Sequence, residues 1–174
     1  MALWVFGYGS LLWNPGFEVA ESVPARLSGY ARSFCMWSIH HRGSVNAPGL
    51  VLALDAQDGA VCDGLALRTA DGREEETLAY LRERELISSA YLERMLRIDL
   101  QDGRGIEAVT YVIDPDHAQY TGSLPLPHQA EVIAAATGDR GPNRDYLFNT
   151  VNLLDELGIM DADLQWLRGR VAEL

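Results

Sequence analysis

The chain holds 174 residues, 48% of them apolar and 22% charged, with 14 Lys and Arg against 25 Asp and Glu for a formal charge of −11. That is the composition of one soluble globular domain able to bury a core. The acidic excess, with no clustered run of Lys and Arg, excludes a nucleic-acid binder. The longest apolar runs, such as residues 49–54, are far too short to span a bilayer.

The N-terminal stretch has no basic flank and no small-residue cleavage site, so it reads as a first strand and not as a signal peptide. Short β-rich runs follow at residues 3–8, 31–39, 50–55, 62–69, 92–100 and 106–113, separated by Gly, Asp, Asn and Pro. Asp58-Gly59 is expected to close a hairpin between the third and fourth runs, and Asp102-Gly103 one between the fifth and sixth. A helix is predicted over 72–86, with Asp71 as N-cap and Glu74 at the capping-box spacing. After Asp114-Pro115 the pattern turns helical over 129–136, 142–157 and 161–171, with Pro142 just inside a start and Gly158 just past an end. One α+β domain covering 1–174 is expected, its C-terminal third helical. Cys35 and Cys62 lie far apart in apolar stretches without C-x-x-C spacing, which points to two reduced thiols in a cytoplasmic protein.

The most informative segment is Phe6-Gly7-Tyr8-Gly9-Ser10-Leu11-Leu12-Trp13-Asn14-Pro15-Gly16-Phe17. A strand entering Gly-x-Gly-Ser can turn sharply and aim successive N–H groups outward as an anion nest, or can be an ordinary glycine turn. It is not a dinucleotide fingerprint, because Leu12 stands where the third glycine belongs and Pro15-Gly16 follows in place of a helix. In the helix, Leu78 and Leu81 define an inward direction, and Glu85 projects within about 20° of it at about 100° per residue. A core-facing carboxylate has a raised pKa and suits proton transfer near neutrality. The other reading makes Glu85 a helix-end residue paired with Arg84 or Arg82, and periodicity does not separate the two. Glu74-Glu75-Glu76 and Arg82-Glu83-Arg84 read as a solvated helix face. His40 and His41 point to opposite faces of an extended segment and have no third ligand at suitable spacing, so no metal site is expected. Ser10 does not sit in a G-x-S-x-G elbow, and neither cysteine has a basic neighbour, so a nucleophilic hydrolase is disfavoured.

Taken together, these motifs resemble the ChaC family of glutathione-specific γ-glutamylcyclotransferases. The likeness runs through Val5 to Phe17, Gly29-Tyr30-Ala31-Arg32-Ser33-Phe34, His41-Arg42-Gly43 with Pro48-Gly49, Arg84-Glu85-Leu86-Ile87-Ser88-Ser89-Ala90-Tyr91, Asn143-Arg144-Asp145-Tyr146-Leu147 and Leu157-Gly158-Ile159-Met160-Asp161. The resemblance implies a mixed β-barrel flanked by helices, with no metal, nucleotide or other cofactor and no covalent intermediate. It makes Glu85 the catalytic acid/base and Gly7, Tyr8, Gly9, Ser10 and Leu11 the loop that holds the γ-glutamyl moiety. It also makes Tyr146 a pocket-lining hydroxyl. Two departures bear on the Cys-Gly end of the substrate: His40 replaces a commonly acidic or other polar residue, and Ser89 stands where glycine is usual.

The implied reaction converts glutathione to 5-oxoproline and cysteinylglycine, with no nucleic-acid or membrane partner. The net charge of −11 opposes an anionic substrate only over a screened range of about 8 Å, so Arg42, Arg84 and the N–H nest can outweigh it locally. Two alternatives remain: a cyclotransferase for another γ-glutamyl amino acid or amine, and a non-catalytic ligand-binding regulator of a transport system.

Overall fold

A computed structural model of the chain describes residues 2–87 and 89–174; Met1, and Ser88 within the Arg-Glu motif, lie outside the described residues. Five strands, β1 (Trp4–Gly7), β2 (Val19–Ser38), β3 (Gly49–Thr69), β4 (Tyr91–Leu100) and β5 (Gly105–Ile113), close a mixed barrel in the order β1-β3-β2-β4-β5. β1 runs antiparallel to β3, with Phe6 opposite Ala66, and parallel to β5, with Val5 opposite Val109. The five principal helices are α1 (Ser10–Trp13), α2 (Glu74–Glu85), α3 (Leu126–Ala135), α4 (Asn143–Glu156) and α5 (Ala162–Glu173). A small ribbon, β6 (Thr137–Gly138) with β7 (Gly141–Pro142), joins α3 to α4. The α+β barrel expected from the sequence is therefore present.

The chain forms two compact units. Residues up to Ser33 together with Ala53–His117 form the first, and Phe34–Leu52 together with Ala118–Leu174 form the second. The first is centred on Val5, Phe6, Leu27, Ala66, Leu81, Ile98 and Tyr111, each at most 2% exposed. In the second, α5 packs against α3 and α4. Their apolar stripes, Ile133, Leu147, Leu154, Leu164 and Leu167, are all buried, as the 3.6-residue period requires.

The β4/β5 hairpin is as expected, in register from Tyr91 opposite Ile113 to Asp99 opposite Gly105, with Gly103 at φ 96° in the turn. The other expected hairpin is not: β3 runs unbroken from Gly49 to Thr69, and Asp58-Gly59 lies within it with Gly59 at φ 78°. β2 begins twelve residues before the expected run at 31–39. A four-residue helix, α1, occupies the segment read as lacking one, and Pro15 follows its end. The predicted cap on α2 is also corrected. Arg73 is the N-cap residue and no side chain caps it. Asp71 instead pairs with Arg68 at 3.1 Å. The ends of α4 and α5 behave as read: Gly158 has φ 72°, and the Asp161 carboxylate accepts the Leu164 N–H at 3.1 Å.

Candidate active site

β1 delivers the chain into Tyr8, Gly9 and then α1, whose Leu11 and Leu12 are buried and hold the turn against the first unit. Gly9 is the N-cap residue with φ −137°, so the turn does not use a positive φ there. Its carbonyl accepts the Leu12 N–H at 2.9 Å. Ser10 and Leu11 open the first turn, where helix geometry offers their N–H groups no intrahelical acceptor.

Two side-chain anchors hold Tyr8. Its hydroxyl donates to the Tyr111 carbonyl at 2.7 Å, and its own carbonyl accepts from Arg32 Nη1 at 3.5 Å. Arg32 Nη1 also donates to the Asp63 carbonyl at 2.9 Å, so the arginine of the Gly29 to Phe34 motif links β2, β3 and the loop.

α2 carries the candidate carboxylate, Glu85. Thr77 and Leu81 are its buried residues, and Glu85 follows four residues later at its last position, with a side chain 13% exposed. Both sequence readings of Glu85 therefore meet in one residue. It lies on the inward row, and it pairs at the helix end with Arg84, Nε to Oε1 at 3.2 Å.

Arg84 corrects the expectation of a solvated Arg82-Glu83-Arg84 face, since its side chain is only 8% exposed. Its Nη2 donates to Ser10 Oγ at 3.0 Å. Its Nη1 donates to the carbonyls of Asn14 at 2.6 Å and Pro15 at 3.1 Å and to the Tyr80 hydroxyl at 3.3 Å. The glycine-serine loop and the Glu85 carboxylate are thus joined through one guanidinium. Gly16, at φ 76°, completes the seam, because a Cβ there would overlap the Tyr80 hydroxyl.

Arg82 is exposed but not idle: it forms two hydrogen bonds, of 3.0 and 2.9 Å, with the Glu93 carboxylate. Glu93 in turn accepts the Tyr111 hydroxyl at 3.0 Å. Arg82 holds the Glu93 carboxyl below its ordinary value. Burial, then the hydrogen bond to Glu93, pushes the Tyr111 phenol far up, and the charge of Glu85 adds to that shift. Tyr111 therefore stays protonated, a fixed hydroxyl that feels the charge of Glu85.

The remaining sequence candidates lie in the second unit. Arg42 is buried, donates from Nη1 to the Pro142 carbonyl at 3.1 Å, and stacks 5.8 Å from the centroid of the Tyr146 ring. Burial lowers its pKa. The Tyr146 hydroxyl accepts the Leu52 N–H at 3.1 Å, and its ring meets Phe34 edge-on at 5.9 Å. The His41-Arg42-Gly43 motif is explained by backbone packing. A Cβ on Gly43 would overlap the Gly49 nitrogen, and one on Gly138 would overlap the His41 carbonyl. His40 and His41 offer their carbonyls to the N–H groups of Asp139 and Arg140 at 2.8 and 3.0 Å, and His41 Nδ1 lies 3.4 Å from Asp139. Among the described residues no three His, Cys, Asp or Glu side chains gather as a metal-binding group.

The sequence singles out Glu85 and the glycine-serine loop as candidates and offers Arg84 as a partner of Glu85, while it gives no role to Tyr80, Arg32 or Tyr111. A signal for Arg84 was available: it stands three residues after Leu81 and seven after Thr77, on the same helical row.

The family model of ChaC-like proteins matches residues 3–174. The glutathione-specific gamma-glutamylcyclotransferase of Escherichia coli (strain K12) is 38% identical over 99% of this chain and 74% of its own length. Gamma-glutamylcyclotransferase 2-3 of Arabidopsis thaliana is 36% identical over 100% of this chain and 90% of its own. For the Schizosaccharomyces pombe glutathione-specific enzyme the figures are 32%, 94% and 88%. The crystal structure of a γ-glutamyl cyclotransferase specific to glutathione from yeast shares the fold, with a TM-score of 0.90 at 24% identity over 99% of this chain and 96% of that one.

Proposed function

The chain belongs to the ChaC-like family, and from that premise we infer that it is a glutathione-specific γ-glutamylcyclotransferase that releases 5-oxoproline and cysteinylglycine. Full-length relatives at 32–38% identity carrying that activity in their names support the reaction and its substrate. The observation that carries the site is the Arg84 guanidinium, which ties Ser10 of the loop to the Glu85 carboxylate.

In the proposed mechanism the N–H groups of Tyr8, Gly9, Ser10 and Leu11 grip the substrate α-carboxylate. That places the α-amine beside Glu85. The amine nitrogen attacks the γ-carbonyl carbon of its own residue, and Glu85 takes the proton the amine releases. The new C–N bond closes a five-membered lactam, the bond to the cysteine nitrogen breaks, and Glu85 returns the proton to that nitrogen. Nucleophile and electrophile sit in one residue, so the principal task is to hold the folded-back conformer, a saving of several kcal/mol by proximity. Tyr111 contributes a fixed dipole near Glu85 and anchors Tyr8 through its carbonyl.

Arg42 and Tyr146 are kept as substrate-binding residues on the strength of the family motifs, while their contacts are those of packing residues. The family model spans both units, which supports residues 1–174 acting as one domain. Among the described residues no helix is long and apolar enough to cross a membrane. Cys35 and Cys62 are both buried, in keeping with a cytoplasmic setting for the proposed enzyme.

The test is incubation with reduced glutathione and mass analysis of the products, beside a panel of γ-glutamyl amino acids and amines. Release of 5-oxoproline from glutathione ahead of the panel is expected. Release from the panel alone would move the substrate, and no release from any compound would leave a binding protein.

A further inference from the structure

Arg84 is invested far beyond what a helix-end arginine needs. Its side chain is 8% exposed and spends Nε on Glu85, Nη2 on Ser10 Oγ, and Nη1 on the Asn14 and Pro15 carbonyls and the Tyr80 hydroxyl. Of these partners Glu85 alone carries charge. The carbonyls belong to the end of α1 and the residue after it, so the guanidinium closes the helix that presents the loop while also touching the acid. A planar fork can serve these directions together; a lysine ammonium cannot.

We propose that Arg84 is the positioning residue for proton transfer: it fixes the loop and Glu85 in one frame and biases Glu85 toward the carboxylate. The role rests on Glu85 being the acid/base of the cyclotransferase reaction. With side chains 8% and 13% exposed, the pair is weakly screened by solvent. Accepting the amine proton neutralises Glu85 and costs it the ion pair, and delivering that proton to the leaving nitrogen restores the pair. Arg84 therefore favours delivery of that proton to the leaving nitrogen over its retention on Glu85. Around the pair, Tyr111 on β5 stays protonated, Glu93 on β4 accepts the Tyr111 hydroxyl and pairs with Arg82, and Ser10 Oγ accepts from Arg84 itself.

The experiment measures kcat, KM and the pH dependence of 5-oxoproline release from glutathione for the wild type, Arg84→Met and Arg84→Lys, with folding checked by circular dichroism. Arg84→Met is expected to lower kcat at least about 10-fold and to move the acid limb up by about one pH unit, the effect of removing an adjacent opposite charge. Arg84→Lys keeps the charge and loses the span, so its limb stays near the wild-type position while kcat falls and KM rises. A folded Arg84→Met with unchanged kcat and limb overturns the proposal. If that variant does not fold, Arg84→Lys decides, and wild-type kcat and KM in it overturn the positioning role. Wild-type protein that releases no 5-oxoproline refutes the cyclotransferase reading itself, an outcome distinct from active wild type with indifferent Arg84 variants.

Discussion

Asn143 and Leu50 exchange two hydrogen bonds of 2.8 Å, the Leu50 N–H to Asn143 Oδ1 and Asn143 Nδ2 to the Leu50 carbonyl. The side-chain amide thereby pairs with β3 as a neighbouring strand would, at a position 0% exposed. One turn along α4, Tyr146 accepts the N–H of Leu52, the next residue on the same edge. Asn143→Ala leaves a buried donor and a buried acceptor of Leu50 without these partners. Stability should fall by about 2–4 kcal/mol, read as a lower urea midpoint.

The Glu93 carboxyl is held below its ordinary value of 4.5 first by the Arg82 hydrogen bond and also by the Tyr111 hydroxyl. A depressed carboxyl stabilises the folded state fully above its unfolded pKa, and that stabilisation is lost as pH falls through the folded value. Glu93→Gln should therefore lower stability by about 1–3 kcal/mol near neutral pH. The gap to the wild type should close as the solution is acidified below about 4. Denaturation curves across that range check it, and a gap independent of pH would remove the charge of Glu93 from the account.

The β4/β5 hairpin was legible because alternation and the Asp102-Gly103 turn agree, and the C-terminal helices because Pro142 and Gly158 mark α4 and Asp161 caps α5. β2 was half legible. Its first part alternates between exposed and partly covered residues and contains Pro24 and Gly29, so no continuous apolar run announces it. In β3 the Asp58-Gly59 pair gave the local signal of a turn, yet the strand continues through it, an override of local propensity by tertiary pairing. At the site, the inward row of α2 exposed Glu85 to sequence reasoning. It did not reveal that Arg84 shares the row, because a charged pattern such as Arg82-Glu83-Arg84 is the usual mark of a wetted face. Three partners of Arg84, Ser10, Asn14 and Pro15, lie some seventy residues earlier in the chain, beyond the reach of periodicity.

Ser89 is the one non-glycine residue with positive φ among the described residues, at 60°, and it is exposed. The left-handed region costs an L-residue about 1–2 kcal/mol, set against the extra unfolded-state entropy of glycine. Ser89→Gly should therefore raise stability by up to about 1 kcal/mol. A urea midpoint that falls instead would show that the serine side chain makes a stabilising contact.

Glu85→Gln keeps the size and hydrogen-bonding reach of the side chain but cannot carry a proton from the substrate amine to the leaving nitrogen. Turnover should fall by at least about 100-fold, the lower range for a positioned acid/base. Glutathione binding, measured by calorimetry, should largely survive, because the proposed grip on the α-carboxylate comes from the loop N–H groups. The pH profile separates loss of proton transfer from loss of local structure. Wild-type activity should rise from the acid side as Glu85 becomes the carboxylate that accepts the amine proton. That limb should vanish from whatever activity Glu85→Gln retains. A limb that persists unchanged in the variant would assign the ionisation to another group. Near-wild-type turnover in it would remove Glu85 from the chemistry and assign the proton transfer to another group.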